Sequence, residues 1–189
     1  VMFNVFTNDS FWFLWYVAFL FISVILHEYG HALTAKRYGI KTKDIILSPI
    51  GGIARLEKLP EKPWHEMLVA IAGPLVNLVI VILISGVLFA LGESNITPSN
   101  TSRLTANISL TEFFKWVIVM NLALFFFNLI PAFPMDGGRI LRAGLAIKLG
   151  KTKATKIASI IGRIIAIAFF MYGLLNEEYS LVLISIFIF

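Results

Sequence analysis

Between Glu66 and Glu93 no side chain carries a charge. About 26 such residues, at ~1.5 Å of rise each, make a helix of roughly 39 Å, longer than the ~30 Å hydrocarbon core of a bilayer. Lipid offers no partner to a backbone N–H or C=O, and a helix satisfies all of them within one segment. Residues 66–91 are therefore predicted to span a membrane, with Gly73 and Pro74 inside the span. Three further runs read the same way. Residues 11–26 are aromatic and aliphatic, and helical register continues through Tyr38 until Gly39 stops it. Residues 113–130 end at Pro131 and Pro134, which no helix interior accommodates, and residues 157–175 form the fourth run. Residues 181–189 begin a fifth that is too short to cross alone. The expected fold is an all-α polytopic transmembrane bundle with four clear spans and a partial fifth.

Composition supports a membrane protein and excludes other classes. Of 189 residues, 58% are hydrophobic and 14% charged, against roughly 45–50% and 25% in ordinary globular chains. A soluble domain, a disordered tail and a basic nucleic-acid module all need more polar surface, so the lipid bilayer is the expected partner and nucleic acid is not. With no cysteine, any metal must be held by His, Asp or Glu. Residues 1–8 have neither the basic region nor the cleavage site of a signal peptide, and the chain begins with Val. The expectation is one transmembrane core domain over residues 1–189, truncated at one or both ends.

Charge is unevenly placed. Lys36, Arg37, Lys41, Lys43, Arg55, Lys58 and Lys62 fall between the first two spans. Arg139, Arg142, Lys148, Lys151, Lys153, Lys156 and Arg163 fall between or just inside the third and fourth. Cytoplasmic loops of membrane proteins carry such excess, so both segments are expected on the cytoplasmic side of the cell membrane. Residues 36–62 also hold two short apolar runs, 45–47 and 53–56, around Ser48-Pro49-Ile50-Gly51-Gly52, the pattern of a hairpin at the membrane interface.

His27-Glu28-Tyr29-Gly30-His31 is an HExxH sequence at the cytoplasmic end of the first span. Residues i and i+4 share a helix face, so both imidazoles can reach one metal while Glu28 is offset towards a water at that metal. Three ionisable groups in a membrane span are costly and are functional by default, against the alternative of histidines facing headgroups. Catalytic zinc takes a third protein ligand and leaves one position open. Thr34 and Arg37 stand at the two positions, Gly and His, needed to extend the motif to HExxHxxGxxH. Glu57, Glu61 and Glu66 are at workable distances in sequence, but their Lys- and Pro-rich surroundings look solvated. Asp136 lies just past the cytoplasmic end of the third span, at the depth of the histidines. It is the better candidate, its alternative role being to cap the helix expected at 140–149.

Together with Asn128-Leu-Ile-Pro131-Ala-Phe-Pro134-Met-Asp136-Gly-Gly-Arg139 and Gly73-Pro74-Leu75-Val76-Asn77, the HExxH sequence resembles the site-2 protease family of intramembrane zinc metalloproteases. The three ordered motifs extend over roughly residues 11–175. The resemblance implies one zinc ion held by His27, His31 and Asp136, with Glu28 as catalytic base. It also implies cleavage of a single-span membrane-protein substrate near the cytoplasmic face, as in regulated intramembrane proteolysis. No separate PDZ-like or CBS domain is present in these residues, and the oligomeric state is left open.

A peptide in a membrane helix hides its carbonyls in internal hydrogen bonds, so it must unwind before it is attacked. The hairpin is a candidate to receive it: Ile45, Ile46, Leu47, Gly51 and Gly52 would offer a strand edge, the alternative being a loop that dips into the interface. Asn128 is placed to donate to an oxyanion, a role the resemblance favours over an interhelical hydrogen bond. The interhelical role suits Asn121, and Asn77 is expected to brace the helix of the histidines. His65, among Pro63, Trp64 and Glu66, reads as an interface histidine and not a ligand. The alternative function is a non-proteolytic membrane protein that binds or passes divalent metal through the same His/Asp cluster. An intact Glu28 between the histidines argues against it.

Overall fold

Among the described residues, apolar spans and the polar segments between them form six helices and a hairpin. In chain order they are α1 (Asn8–Arg37), β1 (Thr42–Ser48), β2 (Gly51–Leu56), α2 (Pro63–Ala90), α3 (Leu110–Asn128), α4 (Asp136–Leu149), α5 (Lys151–Leu175) and α6 (Tyr179–Ile188). The structure is a computed structural model describing residues 8–40, 42–48, 51–56, 60–98 and 109–189. Among the described residues, four helices are long and apolar enough to cross a membrane: Leu14–Arg37, Pro63–Ala90, Leu110–Asn128 and Lys151–Leu175. They give the chain the architecture of a multi-pass membrane protein. The last ten-residue helix, α6, doubles back on α5.

α2 is the hub. It packs against α1 on one side, α3 on another and α4 on a third. Small residues permit the approach, as expected where helices meet in lipid and close van der Waals contact drives association. A Cβ on Gly30 of α1 would stand 2.8 Å from both the Ala72 carbonyl oxygen and a Val76 methyl of α2. Ala35, Val69 and Ala70 are wholly buried nearby. Towards the opposite end, Val81, Leu88 and Ile118 join α2 to α3, while Phe113, Val117 and Met120 receive Tyr16, Phe19 and Leu20 of α1. Lys115, buried near the start of α3, pairs with Glu93 at 3.0 Å and Glu112 at 3.1 Å.

The surface is inverted relative to a soluble protein. Leu14, Ile22, Ile82, Leu83, Val87, Ile164 and Ile167 are exposed, whereas Ser23, His27, Glu28, His31, Asn77, Asn121 and Asp136 are buried. A bilayer solvates the first set, and the polar groups find each other inside.

The apolar runs of the 36–62 segment form the expected hairpin. β1 and β2 pair antiparallel, with Ile45 opposite Ala54, Ile46 opposite Ile53, Leu47 opposite Gly52 and Ser48 opposite Gly51. Both strands contact α1. The turn residues 49 and 50, and Glu57, lie outside the described residues.

Between α3 and α4 the chain turns sharply. Leu129 caps α3, Ala132 N–H donates to the Ile130 carbonyl at 2.7 Å, and Met135 N–H donates to the Ala132 carbonyl at 3.0 Å. Gly137 and Gly138 are required here, because a Cβ on either would run into the backbone of residues 129–133. Ala132 and Met135 pack with Ala166 and Ile188, so α5 and α6 hold the turn from behind.

Candidate active site

The HExxH sequence lies within α1, which puts His27 and His31 one above the other on the face turned to α2. By helical rise they are roughly 15 and 9 Å along the axis from Arg37 at the basic end of the helix. Asp136 arrives from the α3–α4 turn as the first residue of α4, and Met135 occupies the cap position instead. A helix N-terminus favours a carboxylate, and Arg139 Nη1 stands 3.6 Å from Oδ1. That leaves Oδ2 for the histidines.

Nε2 of His27, Nε2 of His31 and Oδ2 of Asp136 form a triangle with sides of 3.2, 3.0 and 3.1 Å. The outer nitrogens explain why. His27 Nδ1 is 2.6 Å from Asn77 Oδ1, and His31 Nδ1 is 2.7 Å from the Val69 carbonyl oxygen. Both oxygens only accept, so both Nδ1 atoms must donate, and in neutral imidazoles each Nε2 is then a bare lone pair. Three lone-pair atoms thus converge in a buried pocket where none can donate to another. A cation resolves the arrangement. Donors ~2.0 Å from a tetrahedral zinc stand roughly 3.3 Å apart, close to the observed sides, so the donor set fits one zinc ion. Among the described residues, this is the cluster of three such groups able to share a metal.

Gly73 borders the same pocket. A Cβ there would fall on Nε2 of both histidines. In the sequence Gly73 belongs to the Gly73-Pro74-Leu75-Val76-Asn77 motif and to the second span; the signal for its role is a glycine inside a span opposite HExxH. Glu28, buried beside His27, completes the sequence-predicted group.

Other predicted residues have different surroundings. Asn77, wholly buried, holds His27 as described, and its Nδ2 donates to Asn121 Oδ1 at 2.9 Å. Asn121 also donates to Ser23 of α1 at 3.2 Å, the interhelical role expected of it. Asn128, half-buried at the end of α3, donates to the Leu124 carbonyl of its own helix at 2.9 Å. Glu66 corrects the sequence reading: it is not solvated but buried at the start of α2, in an ion pair with Arg142 of α4. Its partner is 76 residues away, so its local sequence could not reveal it. His65 is half-buried and stacks on Tyr38 with ring centroids 4.0 Å apart, away from the metal donors.

The fold and donor set define a polytopic membrane protein in which two histidines and one carboxylate are arranged so that they could hold one metal ion. The sequence model of peptidase family M50 matches residues 15–102 and 95–171, and the chain belongs to that family. It is 44% identical over 188 residues to the zinc metalloprotease MJ0392 of Methanocaldococcus jannaschii, covering 98% of this chain and 50% of that protein. It is 38% identical over 161 residues to the putative zinc metalloprotease sll0528 of Synechocystis, covering 83% of this chain and 39% of the relative. The chain thus spans half or less of these relatives' length. The solved structure of the site-2 protease from Methanocaldococcus jannaschii superposes with a TM-score of 0.67 at 43% identity, over 90% of this chain and 72% of that one.

Proposed function

We propose that this chain forms the catalytic core of an intramembrane zinc metalloendopeptidase that cuts single-span membrane proteins within or near their transmembrane segment. The observation that carries the proposal is the buried triangle of His27, His31 and Asp136 with both imidazoles turned Nε2-inward, on a helix that also carries Glu28. The names and family of the relatives support the same reading.

His27, His31 and Asp136 would hold the zinc, which supplies polarisation of a peptide carbonyl and acidification of water when bound. Glu28, one position along the helix from His27, takes a proton from the attacking water and returns it to the departing amine nitrogen. Asn128 turns its amide from the Leu124 carbonyl towards the developing oxyanion. The free edge of the β1–β2 hairpin, around Ile45, Ile46, Leu47, Gly51 and Gly52, receives the unwound substrate. Its main-chain hydrogen bonds replace those the substrate helix has lost. Clustering of basic residues at the ends of α1, α2, α4 and α5 supports an active site facing the cytoplasm from the cell membrane.

The test is reconstitution of the purified chain in liposomes with a single-span membrane protein. Cleavage that stops on chelation and returns with zinc is expected. Divalent-metal flux without cleavage under any zinc loading would overturn the proposal in favour of metal passage.

A further inference from the structure

Hydrogen bonds run from the metal donors across three helices to an atom that has no choice of role. The Val117 carbonyl oxygen in α3 can only accept, and Asn121 Nδ2 lies 2.9 Å from it. Asn121 must therefore turn its NH2 group that way, which points its Oδ1 at α2. There it accepts from Asn77 Nδ2 at 2.9 Å. Asn77 in turn must present Oδ1 to His27, whose Nδ1 is 2.6 Å away. Both asparagines are 0% exposed, so no solvent stands in for a missing partner. The second hydrogen of Asn121 goes to Ser23, one turn before His27 on α1. A reversed Asn77 would face His27 Nδ1 with a donor, forcing the imidazole proton onto Nε2 and into the metal position.

We propose that Asn121 is a positioning residue: by fixing the direction of the Asn77 amide it fixes the tautomer of His27, and so sets zinc affinity from beyond the ligand shell. The proposal rests on His27, His31 and Asp136 being the zinc ligands. Partners that orient a ligating histidine typically contribute about 10–100-fold in metal affinity. Asn121→Leu keeps the γ-branched heavy-atom shape and removes both ends of the relay.

Zinc affinity of the purified chain, measured by chelator competition in detergent, tests this without any activity assay. Asn121→Leu is expected to bind zinc about 10–100-fold more weakly. Asn77→Asp presents an acceptor to His27 whichever way it turns, so the double variant Asn77→Asp/Asn121→Leu should recover most of the loss, which a packing role for Asn121 would not allow. Should Asn121→Leu not fold, Asn121→Asp serves. One of its oxygens still accepts from Asn77 Nδ2 and so keeps the Asn77 amide in its direction, and it should bind zinc within a few-fold of wild type. Wild-type affinity in Asn121→Leu, no recovery in the double variant, or a large loss in Asn121→Asp each overturns the relay. Asp136→Asn, measured alongside, separates the failures: if it too binds zinc normally, the ligand assignment itself is wrong.

Discussion

Gly73 of α2 faces His31 of α1 so closely that a β-carbon at position 73 would fall on the imidazole Nε2. The two helices pack closely where the candidate metal donors lie, with Gly30 pressed against Ala72 and Val76 beside them. The glycines therefore give the pocket its size as well as its packing.

Gly73→Ala should leave the spans intact and displace the zinc ligands. Zinc affinity is expected to fall by at least the ~10–100-fold that loss of a ligand's supporting partner costs. Helix content by circular dichroism should be unchanged. Metal analysis after dialysis against a weak chelator checks it.

Asp136→Asn keeps the shape of the third ligand and removes its charge. One zinc per chain is expected in the wild type and well under one in the variant. Unchanged stoichiometry would move the third ligand elsewhere.

Glu66 and Arg142 tie the start of α2 to α4, the helix that begins with Asp136, and Arg142 also lies 5.8 Å from the centre of the Phe133 ring. Glu66 is buried and Arg142 half-buried, so removing Arg142 leaves a buried carboxylate uncompensated, at a cost of up to roughly 3–5 kcal/mol, and removing Glu66 costs less. Glu66→Leu and Arg142→Leu should each lower the thermal midpoint in detergent. The double variant should lie closer to wild type than either single one.

Much of this could be read from the sequence because lipid imposes simple rules. An uncharged run of sufficient length must be helix, prolines must end it, and basic residues mark one side. These rules located the spans, the 45–56 hairpin and the shared depth of His27, His31 and Asp136. Lys58, Lys62 and the neighbouring prolines make Glu66 look solvated in the sequence, whereas its burial depends on Arg142 on another helix. The links from Asn77 to His27 and from Asn121 to Asn77 obey donor and acceptor rules that sequence alone cannot apply, since the order of helices around α2 is needed first.

The hairpin can be tested apart from the metal. Ile46→Pro removes a backbone N–H from β1 and disrupts its ladder. It should reduce cleavage of a membrane substrate several-fold while leaving zinc content at the wild-type level. Equal cleavage rates for Ile46→Pro and wild type would rule out the strand-edge role.

The most direct measurement compares wild type with Glu28→Gln, with zinc content and cleavage of a reconstituted single-span substrate determined on the same preparations. Glutamine keeps the shape of Glu28 but cannot take the proton. The account predicts one zinc per chain in both and cleavage in the wild type alone. Cleavage by zinc-loaded Glu28→Gln at the wild-type rate would contradict it.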